Sequence, residues 1–264
     1  MKRILLIFFL IISVSFAARL RIISLSPLIT EQVFLLGAEN TLIGVTSYCR
    51  IPSSIKIEKI GNIVEINHEK IILLKPDFVL ASDININSRL DRLTTANIKV
   101  YTIPEGKDFE SICKSFLELA RILNLTKRGE TLVKEWEREY KLLKSEKTPL
   151  KKPKIFIVVG TKPLVTTGQN SFISAIVNTA GATNIVKEKL AYLRYSIEKI
   201  LKEPPDLVLI VLPEEEAKEE KKVWNKFGIK TESVEPDIFS IATPPAFLKA
   251  TEILSDILKK HKLK

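Results

Sequence analysis

The sequence predicts an α/β protein made of two doubly wound parallel-sheet lobes, which one long α-helix joins and which leave a ligand cleft between them. Three observations support this prediction. Short apolar segments alternate with helical segments on both sides of the middle of the chain, which is typical of parallel sheets covered by helices on both faces. A set of motifs occurs twice at a fixed spacing, and a long amphipathic segment separates the two copies.

The first residues of the chain predict export. Two basic residues precede the apolar run Ile4–Ile12, and the small residues within Ser15–Ala17 favour a cut directly after them. The apolar run is too short for a stable membrane span, and no cysteine near the cut could carry a lipid anchor. We expect residues 1–18 to be a cleavable signal peptide and the mature protein to act outside the cytoplasm.

Residues 19–124 predict an N-terminal lobe. Four short apolar segments are predicted strands: Arg21–Leu25, Leu42–Val45, Phe78–Ala81 and Lys99–Thr102. Four further segments are predicted helices: Ile29–Leu36, His68–Leu74, Ser88–Ala96 and Asp108–Leu123. Because the strands are short and apolar throughout, we expect a parallel sheet that is buried on both faces.

A linker helix is predicted within residues 125–148. Apolar side chains recur every three or four residues along Thr126–Ser145, and residues of both charges fill the opposite face. Pro149 and Pro153 prevent the helix from continuing. About twenty residues that rise about 1.5 Å each make a rod of about 30 Å, which is the width of a small domain.

Residues 149–264 predict a C-terminal lobe with the same alternation. The predicted strands are Ile155–Val159, Leu207–Leu212 and Lys230–Val234. The predicted helices are Ser171–Ala180, Ile197–Lys202, Glu215–Phe227 and Pro244–Lys260. Thr243 is placed to cap the last of these helices, and the prolines that follow it fit the first helical turn.

The two lobes share a sequence repeat. The segment Glu69–Leu80 contains Glu-Lys-Ile, Pro-Asp and Val-Leu, and these residues recur in Glu198–Leu209 at a constant offset of 129 residues. Gly37–Asn40 likewise matches Gly181–Asn184 in three of its four residues. The repeat predicts two related lobes that share a cleft at the carboxyl ends of their strands. Because one helix joins the lobes, we expect limited closure.

The composition excludes several classes of protein. The 264 residues carry a formal charge of +10, but the lysines are scattered among glutamates, so we expect no nucleic-acid binding. The dispersed glycines form no phosphate-binding motif. The only histidines, His68 and His261, are too few for a catalytic triad in the cleft or a zinc or manganese site. These patterns do not favour an enzyme. Whether Cys49 and Cys113 form a disulfide stays open.

Motifs in both halves resemble one known family. In the first half they are Ile23–Pro27, Gly44–Cys49 and Leu74–Leu80. In the second half they are Thr167–Ile173, Ala180–Asn184 and Ser196–Glu198. They resemble the helical-backbone (class III) periplasmic binding proteins, which serve ABC importers of cobalamin, ferric siderophores and haem. The resemblance covers the mature chain, implies a location in the periplasm, and is greatest to the cobalamin-binding subgroup through Ser47–Cys49 and the spacing around Tyr192.

The resemblance implies a set of ligand contacts in the cleft: Tyr48, Ile63, Ser82, Asp83, Val165, Tyr192, Asp237 and Phe239. Where the cobalamin-binding subgroup tends to place tryptophans, this chain has Ile63, the loop at Ser82 and Tyr192. Its own tryptophans, Trp136 and Trp224, fall in predicted helices away from the cleft. This departure reduces the aromatic surface on which a corrinoid ring would stack.

Three ligands stay open, with no intrinsic cofactor in any case. A corrinoid would use flat apolar and aromatic surface together with a few polar groups. Haem could use Tyr48 as a ligand to its iron. A ferric siderophore would ask for basic side chains, for which Arg50 and Arg194 are available. We expect a corrinoid or a related metal chelate.

Glu69 and Glu198 are the predicted contacts with the transporter. In the family that the chain resembles, an acidic residue on each lobe meets arginines of the membrane permease, and these two residues match those positions. The repeat also places them at equivalent helix starts, and such a pair suits the two-fold symmetry of a permease dimer in the inner membrane. The alternative is that glutamate favours a first helical turn because of the helix dipole. We expect a monomer.

Overall fold

A computed structural model describes residues 19–62, 65–83, 90–145 and 152–263. Within these ranges the chain forms two α/β lobes on either side of one long helix, which confirms the predicted fold class. The predicted signal peptide at residues 1–18 and the predicted ligand contact Ile63 lie outside the described residues. Among the described helices, none has both the length and the hydrophobicity that a membrane span requires.

The N-terminal lobe contains a parallel sheet. Its strands are β1 (Ile22–Ser24), β2 (Leu42–Val45), β3 (Glu58–Lys59), β4 (Phe78–Ser82) and β5 (Lys99–Ile103). Their order across the sheet is β3-β2-β1-β4-β5. The described helices are α1 (Pro27–Leu35), α2 (His68–Leu74), α3 (Asp91–Thr95) and α4 (Phe109–Ile122), together with a 3-10 turn at Glu39–Thr41. Every residue of β1 and β4 is buried, as expected for central strands of a covered parallel sheet.

The linker is helix α5 (Thr126–Ser145), which spans the residues predicted for it. It packs against α4 and against the C-terminal helix α10 (Pro244–Lys260). Gly129 allows α4 to approach closely, because a methyl group at that position would lie 2.6 Å from the Cβ of Ala120. The linker is therefore packed into both lobes rather than extended through solvent.

The C-terminal lobe contains two small sheets. The strands β6 (Lys154–Val158), β9 (Thr183–Asn184), β11 (Leu207–Val211) and β12 (Thr231–Val234) form a parallel sheet in the order β12-β11-β6-β9. The strands β7 (Gly160–Thr161), β8 (Leu164–Thr167) and β10 (Tyr192–Arg194) form an antiparallel sheet that the sequence analysis did not predict. The helices are α6 (Phe172–Thr179), α7 (Ile197–Lys202), α8 (Glu214–Asn225), α9 (Pro236–Ser240) and α10.

The repeated Pro-Asp motif has a structural role in each lobe. The carboxylate of Asp77 accepts a hydrogen bond of 2.8 Å from the backbone N–H of Arg21, and the N–H of Asp77 donates to the Arg21 carbonyl. Asp206 makes the same two bonds with Lys154, and its carboxylate lies 2.7 Å from the Lys154 nitrogen. In both lobes the motif therefore ties the start of one central strand to the start of its neighbour.

A single hydrophobic core runs from the N-terminal lobe through the linker into the C-terminal lobe. Phe109 of α4 stacks on Tyr140 of α5 with 4.1 Å between ring centroids, and it contacts Phe247 of α10 at 5.6 Å. Phe247 also contacts Phe172 of α6 at 5.8 Å. Because a large movement of one lobe would separate these rings, the packing supports the expectation of limited closure.

The two cysteines are free and buried, so the open question of a disulfide is answered against one in this structure. The hydroxyl of Thr30 donates to the sulfur of Cys49 at 3.2 Å. Burial, with smaller effects of the nearby Glu137 and Glu110, raises the pKa of Cys113 to about 12. A thiol with so high a pKa is unreactive at neutral pH.

Candidate ligand-binding cleft

The cleft lies where the carboxyl ends of the parallel strands of the two lobes face each other. Loops that follow β2, β4 and β5 form the N-terminal wall, and strands β8 and β10 with helix α9 form the C-terminal wall. One ion pair joins the walls: the guanidinium of Arg50, after β2, donates to the carboxylate of Asp237 on α9. This contact places the two lobes within reach of one ligand.

The Arg50–Asp237 pair changes the expected use of both residues. Asp237 is a predicted ligand contact and Arg50 a candidate for binding a siderophore, yet the two side chains bind each other. The hydrogen bond from Arg50 lowers the pKa of Asp237, and the bond to Asp237 together with the field of Glu31 raises the pKa of Arg50. The side chains are 60% and 57% exposed, so a ligand could reach either of them.

Two of the predicted ligand contacts are exposed tyrosines. Tyr48 is 63% exposed in the loop after β2, and Tyr192 is 59% exposed at the start of β10. Although more than half of the Tyr192 side chain is exposed, the protein around it partly desolvates the phenol, and this desolvation raises the pKa of Tyr192. Arg194 lies two residues further along the same strand and therefore on the same face. Exposed aromatic rings of this kind offer stacking surface to a planar ligand.

The C-terminal wall is mostly apolar. A concave site of about 520 Å³ is lined by Val159, Val165, Ile173, Tyr192, Val211, Leu212, Pro213, Pro236 and Ser240. The predicted contact Val165 belongs to it because the antiparallel pairing of β8 with β10 sets Val165 opposite Arg194 and close to Tyr192. This wall can bury the apolar face of a ligand, which is the main source of affinity in such sites.

The N-terminal wall is polar and acidic. Ser82, at the end of β4, is only 2% exposed, and its hydroxyl donates to the carboxylate of Glu105. The backbone N–H of Glu105 donates to Asp83 Oδ1 at 3.0 Å. Burial raises the pKa of Glu105 and the nearby Asp83 raises it further, while the bond from Ser82 opposes both effects. The sequence analysis did not single out Glu105, although its place just after β5 could have indicated a cleft residue.

Phe239 does not line the open cleft. Its side chain is 1% exposed and belongs to the hydrophobic core under α9. The sequence analysis expected it to face the ligand because the family resemblance implied a ligand contact at this position. A short helix forms there instead, and this helix turns Phe239 inward while Asp237 stays at the surface. Phe239 can support the wall, but the structure gives it no surface for direct contact.

Glu69 and Glu198 occupy the first turns of the equivalent helices α2 and α7, and both are exposed. Asn67 caps α2 by accepting from the N–H of Lys70 at 2.9 Å, and Ser196 caps α7 in the same way. The Ser196 hydroxyl also donates to Glu198, and this bond lowers the pKa of the Glu198 carboxyl. Both carboxylates are thus available to a partner from outside.

The described residues contain no group of three or more His, Cys, Asp and Glu that could hold a metal ion. His261 ends α10, where its Nε2 lies 2.9 Å from Glu232. The histidine therefore contacts β12 within the C-terminal lobe. The described cleft residues offer aromatic, apolar, carboxylate and guanidinium groups.

Two facing α/β lobes, with a solvent-open cleft that has one apolar and one polar wall, define a two-lobed ligand-binding protein. A family model described as "Periplasmic binding protein" matches residues 22–227. Because this match covers most of the chain, the protein belongs to the periplasmic binding protein family. The membership confirms the predicted class and agrees with the prediction that the chain is not an enzyme.

Similar proteins bind different ligands. The chain is 29% identical over 237 residues to the vitamin B12-binding protein of Salmonella typhi, with 88% of each chain covered. It is 27% identical to an uncharacterized ABC transporter substrate-binding lipoprotein of Bacillus subtilis, YvrC, over 89% of this chain and 79% of that protein. The crystal structure of the periplasmic haem-binding protein HutB of Vibrio cholerae superimposes with a TM-score of 0.81 at 19% identity, covering 91% and 99% of the two chains. The last similarity concerns the fold alone.

Proposed function

We propose that this protein captures a corrinoid in the cleft between its lobes and delivers it to the membrane permease of an ABC importer. The observation that carries the proposal is an apolar C-terminal wall that includes the exposed Tyr192, and the exposed Tyr48 in the loop after β2 of the other lobe supports it. A corrin ring offers flat apolar faces and an edge of neutral amides. The apolar wall and the rings of Tyr48 and Tyr192 suit the faces, and the polar N-terminal wall suits the amides.

The similarity to a vitamin B12-binding protein supports the corrinoid, while haem is the second candidate. The exposure of Tyr48, whose phenolate could bind ferric iron, supports haem. A ferric siderophore has less support, because Asp237 already occupies Arg50.

The first experiment is a titration of the mature protein. All described elements lie within residues 19–263, so the chain from Ala18 onward is the form to purify. We expect saturable one-to-one binding of cyanocobalamin by calorimetry, with a shift in its visible spectrum. Absence of both signals would exclude this corrinoid, and the same titration with haemin would then test the second candidate.

Variants assign the binding to the cleft. Tyr48→Ala and Tyr192→Ala should each weaken cyanocobalamin binding by about tenfold, because each removes one stacked ring worth about 1 kcal/mol or more. Phe227→Ala is the matched control, since Phe227 is also an exposed aromatic residue but follows α8 at the opposite end of the strands. Equal effects of all three variants would argue against the cleft as the binding site.

Delivery to the permease is tested separately from binding. Replacing both Glu69 and Glu198 with lysine should abolish uptake of labelled cyanocobalamin by cells that carry the importer and should leave binding in solution unchanged, because charge complementarity orients the complex. Glu118→Lys on the exposed face of α4 is the control for a reversed surface charge. Unchanged uptake by the double variant would exclude the docking role.

Export and assembly complete the proposal. We infer that residues 1–18 direct the chain to the periplasm, where it acts as a monomer without a lipid anchor. Support comes from the pattern of the first residues and from the absence of cysteine before Cys49. Mass spectrometry of the exported protein should give a chain that starts at Ala18 with no lipid, and light scattering should give the mass of one chain. A lipid-modified or uncut amino terminus would contradict the proposal.

A further inference from the structure

We propose that Glu105 is a specificity-determining residue of the cleft, whose fixed carboxylate disfavours ligands with anionic groups and favours a neutral ring system that carries amides. This inference rests on the proposed function, because it concerns the ligand of the same cleft. It adds a residue that the sequence analysis did not single out, and it gives a physical reason for preferring a corrinoid to haem, whose two propionates are anionic.

Glu105 is held in place by the neighbouring strand. It lies two residues beyond Ile103, the last residue of β5, and Ile103 pairs with Ser82 at the end of β4. The Ser82 hydroxyl holds the side chain of Glu105, and Asp83 Oδ1 holds its backbone N–H at 3.0 Å. Glu105 itself is half-buried. Ser82 is buried in the sheet, so its contact and the backbone bond to Asp83 favour one position of Glu105 beside the ends of β4 and β5.

The charge of Glu105 acts across the cleft. The phenol of Tyr192, on the opposite wall, has its pKa raised first by burial and then by the carboxylate of Glu105. The two side chains are therefore close enough to interact electrostatically although they belong to different lobes. A ring that stacks on Tyr192 would lie between them, within the field of the carboxylate.

Among the described residues, the charge that acts on Glu105 is that of Asp83, and no cation offsets it there. Arg50 is bound to Asp237 and lies in the field of Glu31, and Asp83 adds a further negative charge beside Glu105. A propionate placed here would meet like charges in a partly desolvated site, which is unfavourable. An amide N–H would instead donate a charge-assisted hydrogen bond to the carboxylate.

The test compares two probes and four proteins. Cyanocobalamin is the neutral amide-bearing probe and haemin the anionic one, and each is titrated into the wild type, Glu105→Gln, Glu105→Lys and Glu110→Lys. Glu110 is the matched control because it is an exposed glutamate on α4, outside the cleft, and its replacement changes the net charge by the same amount. Thermal melting confirms that each variant is folded.

The expected result is a change of preference. Glu105→Lys should bind haemin at least about tenfold more tightly than Glu110→Lys, since it replaces a repulsive charge with an attractive one in a partly desolvated site. Glu105→Gln should fall between the wild type and Glu105→Lys for haemin. For cyanocobalamin, Glu105→Gln should lose about threefold to tenfold in affinity, because a neutral acceptor forms a weaker hydrogen bond.

The outcomes separate this inference from the proposed function. If Glu105→Lys and Glu110→Lys bind haemin equally well or equally poorly, the specificity role of Glu105 is excluded, whether or not the wild type binds cyanocobalamin. If the wild type fails to bind cyanocobalamin but Glu105→Lys still gains haemin affinity over the control, the corrinoid proposal fails and the role of Glu105 stands. Tighter binding of haemin by the wild type than by Glu105→Lys would overturn the inference.

Discussion

Removal of the ion pair that joins the two lobes should weaken the protein only slightly. Arg50 and Asp237 are 60% and 57% exposed, and exposed pairs of this kind contribute about 0.2–1 kcal/mol to the free energy of unfolding. Arg50 also faces Glu31, so Asp237→Ala does not leave its charge without a favourable neighbour. We therefore expect a coupling energy below about 1 kcal/mol from the cycle of Arg50→Ala, Asp237→Ala and the double variant.

The assay is urea denaturation of the four proteins at low and at physiological salt. The coupling should shrink as salt is added, because exposed charges are screened over about 8 Å at physiological ionic strength. Its pH dependence follows from the lowered pKa of Asp237: the stabilisation is complete above the pKa of an unfolded aspartate and is lost as the pH falls through the lowered folded pKa. Lys249 and Glu252, an equally exposed pair within α10, serve as the control pair.

Two results would refute this reasoning. A coupling well above about 2 kcal/mol would mean that the pair is desolvated, in contrast to its exposure. A large increase in the radius of gyration of the double variant, measured by small-angle scattering, would mean that the ion pair, and not the aromatic packing around Phe109 and Phe247, sets the distance between the lobes.

Three further predictions concern stability. Glu220 accepts a 2.7 Å hydrogen bond from the Trp224 indole, and burial raises the pKa of Glu220. The free energy of unfolding should therefore increase as the pH falls toward that raised pKa, and Glu220→Gln should abolish this dependence without loss of stability at pH 7. Glu220→Leu should cost about 1–3 kcal/mol in urea denaturation. Asp77→Ala and Asp206→Ala should each cost about 1–2 kcal/mol by the same assay, with the asparagine variants retaining part of the bond; no loss in either lobe would exclude the strand-tying role. Gly129→Ala should lower the melting temperature. The clash with α4 costs about 1–3 kcal/mol and outweighs the gain in helix propensity of about 1 kcal/mol. A higher melting temperature would contradict this prediction.

Helices with strong local signals were predictable to the residue. The predicted bounds of α2, α5, α7 and α10 agree with the structure. The side chains of Asn67, Ser196 and Thr243 precede α2, α7 and α10, and each accepts a hydrogen bond from a backbone N–H of the first turn. Capping residues, prolines and apolar periodicity act over a few neighbouring positions, so a single sequence contains the information that determines these ends.

The antiparallel sheet of the C-terminal lobe could not be predicted in this way. Its strands contain two to four residues each, and β10 pairs with β8 across a long stretch of chain that includes α6. Strands this short carry little periodic signal, and tertiary packing determines their partners. The same limitation explains Phe239, because the five-residue helix α9 turns a residue inward that a loop would have left at the cleft.

Candidate site residues could be proposed from the family resemblance but their contacts could not. Ser82 at the end of β4 and Tyr48 after β2 also lie where the ends of parallel strands point to a cleft, whereas Tyr192 begins an antiparallel strand that the sequence analysis did not predict. That Arg50 binds Asp237, and that Glu105 is held by Ser82 opposite Tyr192, depends on two loops from different strands or lobes meeting in space. A local sequence pattern contains no information about such long-range contacts.

The internal repeat separates residues that serve the fold from those left free for a partner. Ile71 and Ile200 are buried, and Asp77 and Asp206 bind the neighbouring strand, so their recurrence is explained within each lobe. The glutamates of the same motif are not needed as caps, since Asn67 and Ser196 already accept the bonds from the first turns. Within the described residues, Glu198 also accepts a bond from Ser196, and both glutamates gain a favourable helix dipole of about 0.3–1 kcal/mol, which other residues of the first turn could supply. Two exposed carboxylates at equivalent places in two lobes are the arrangement that the proposed docking to a two-fold symmetric partner requires.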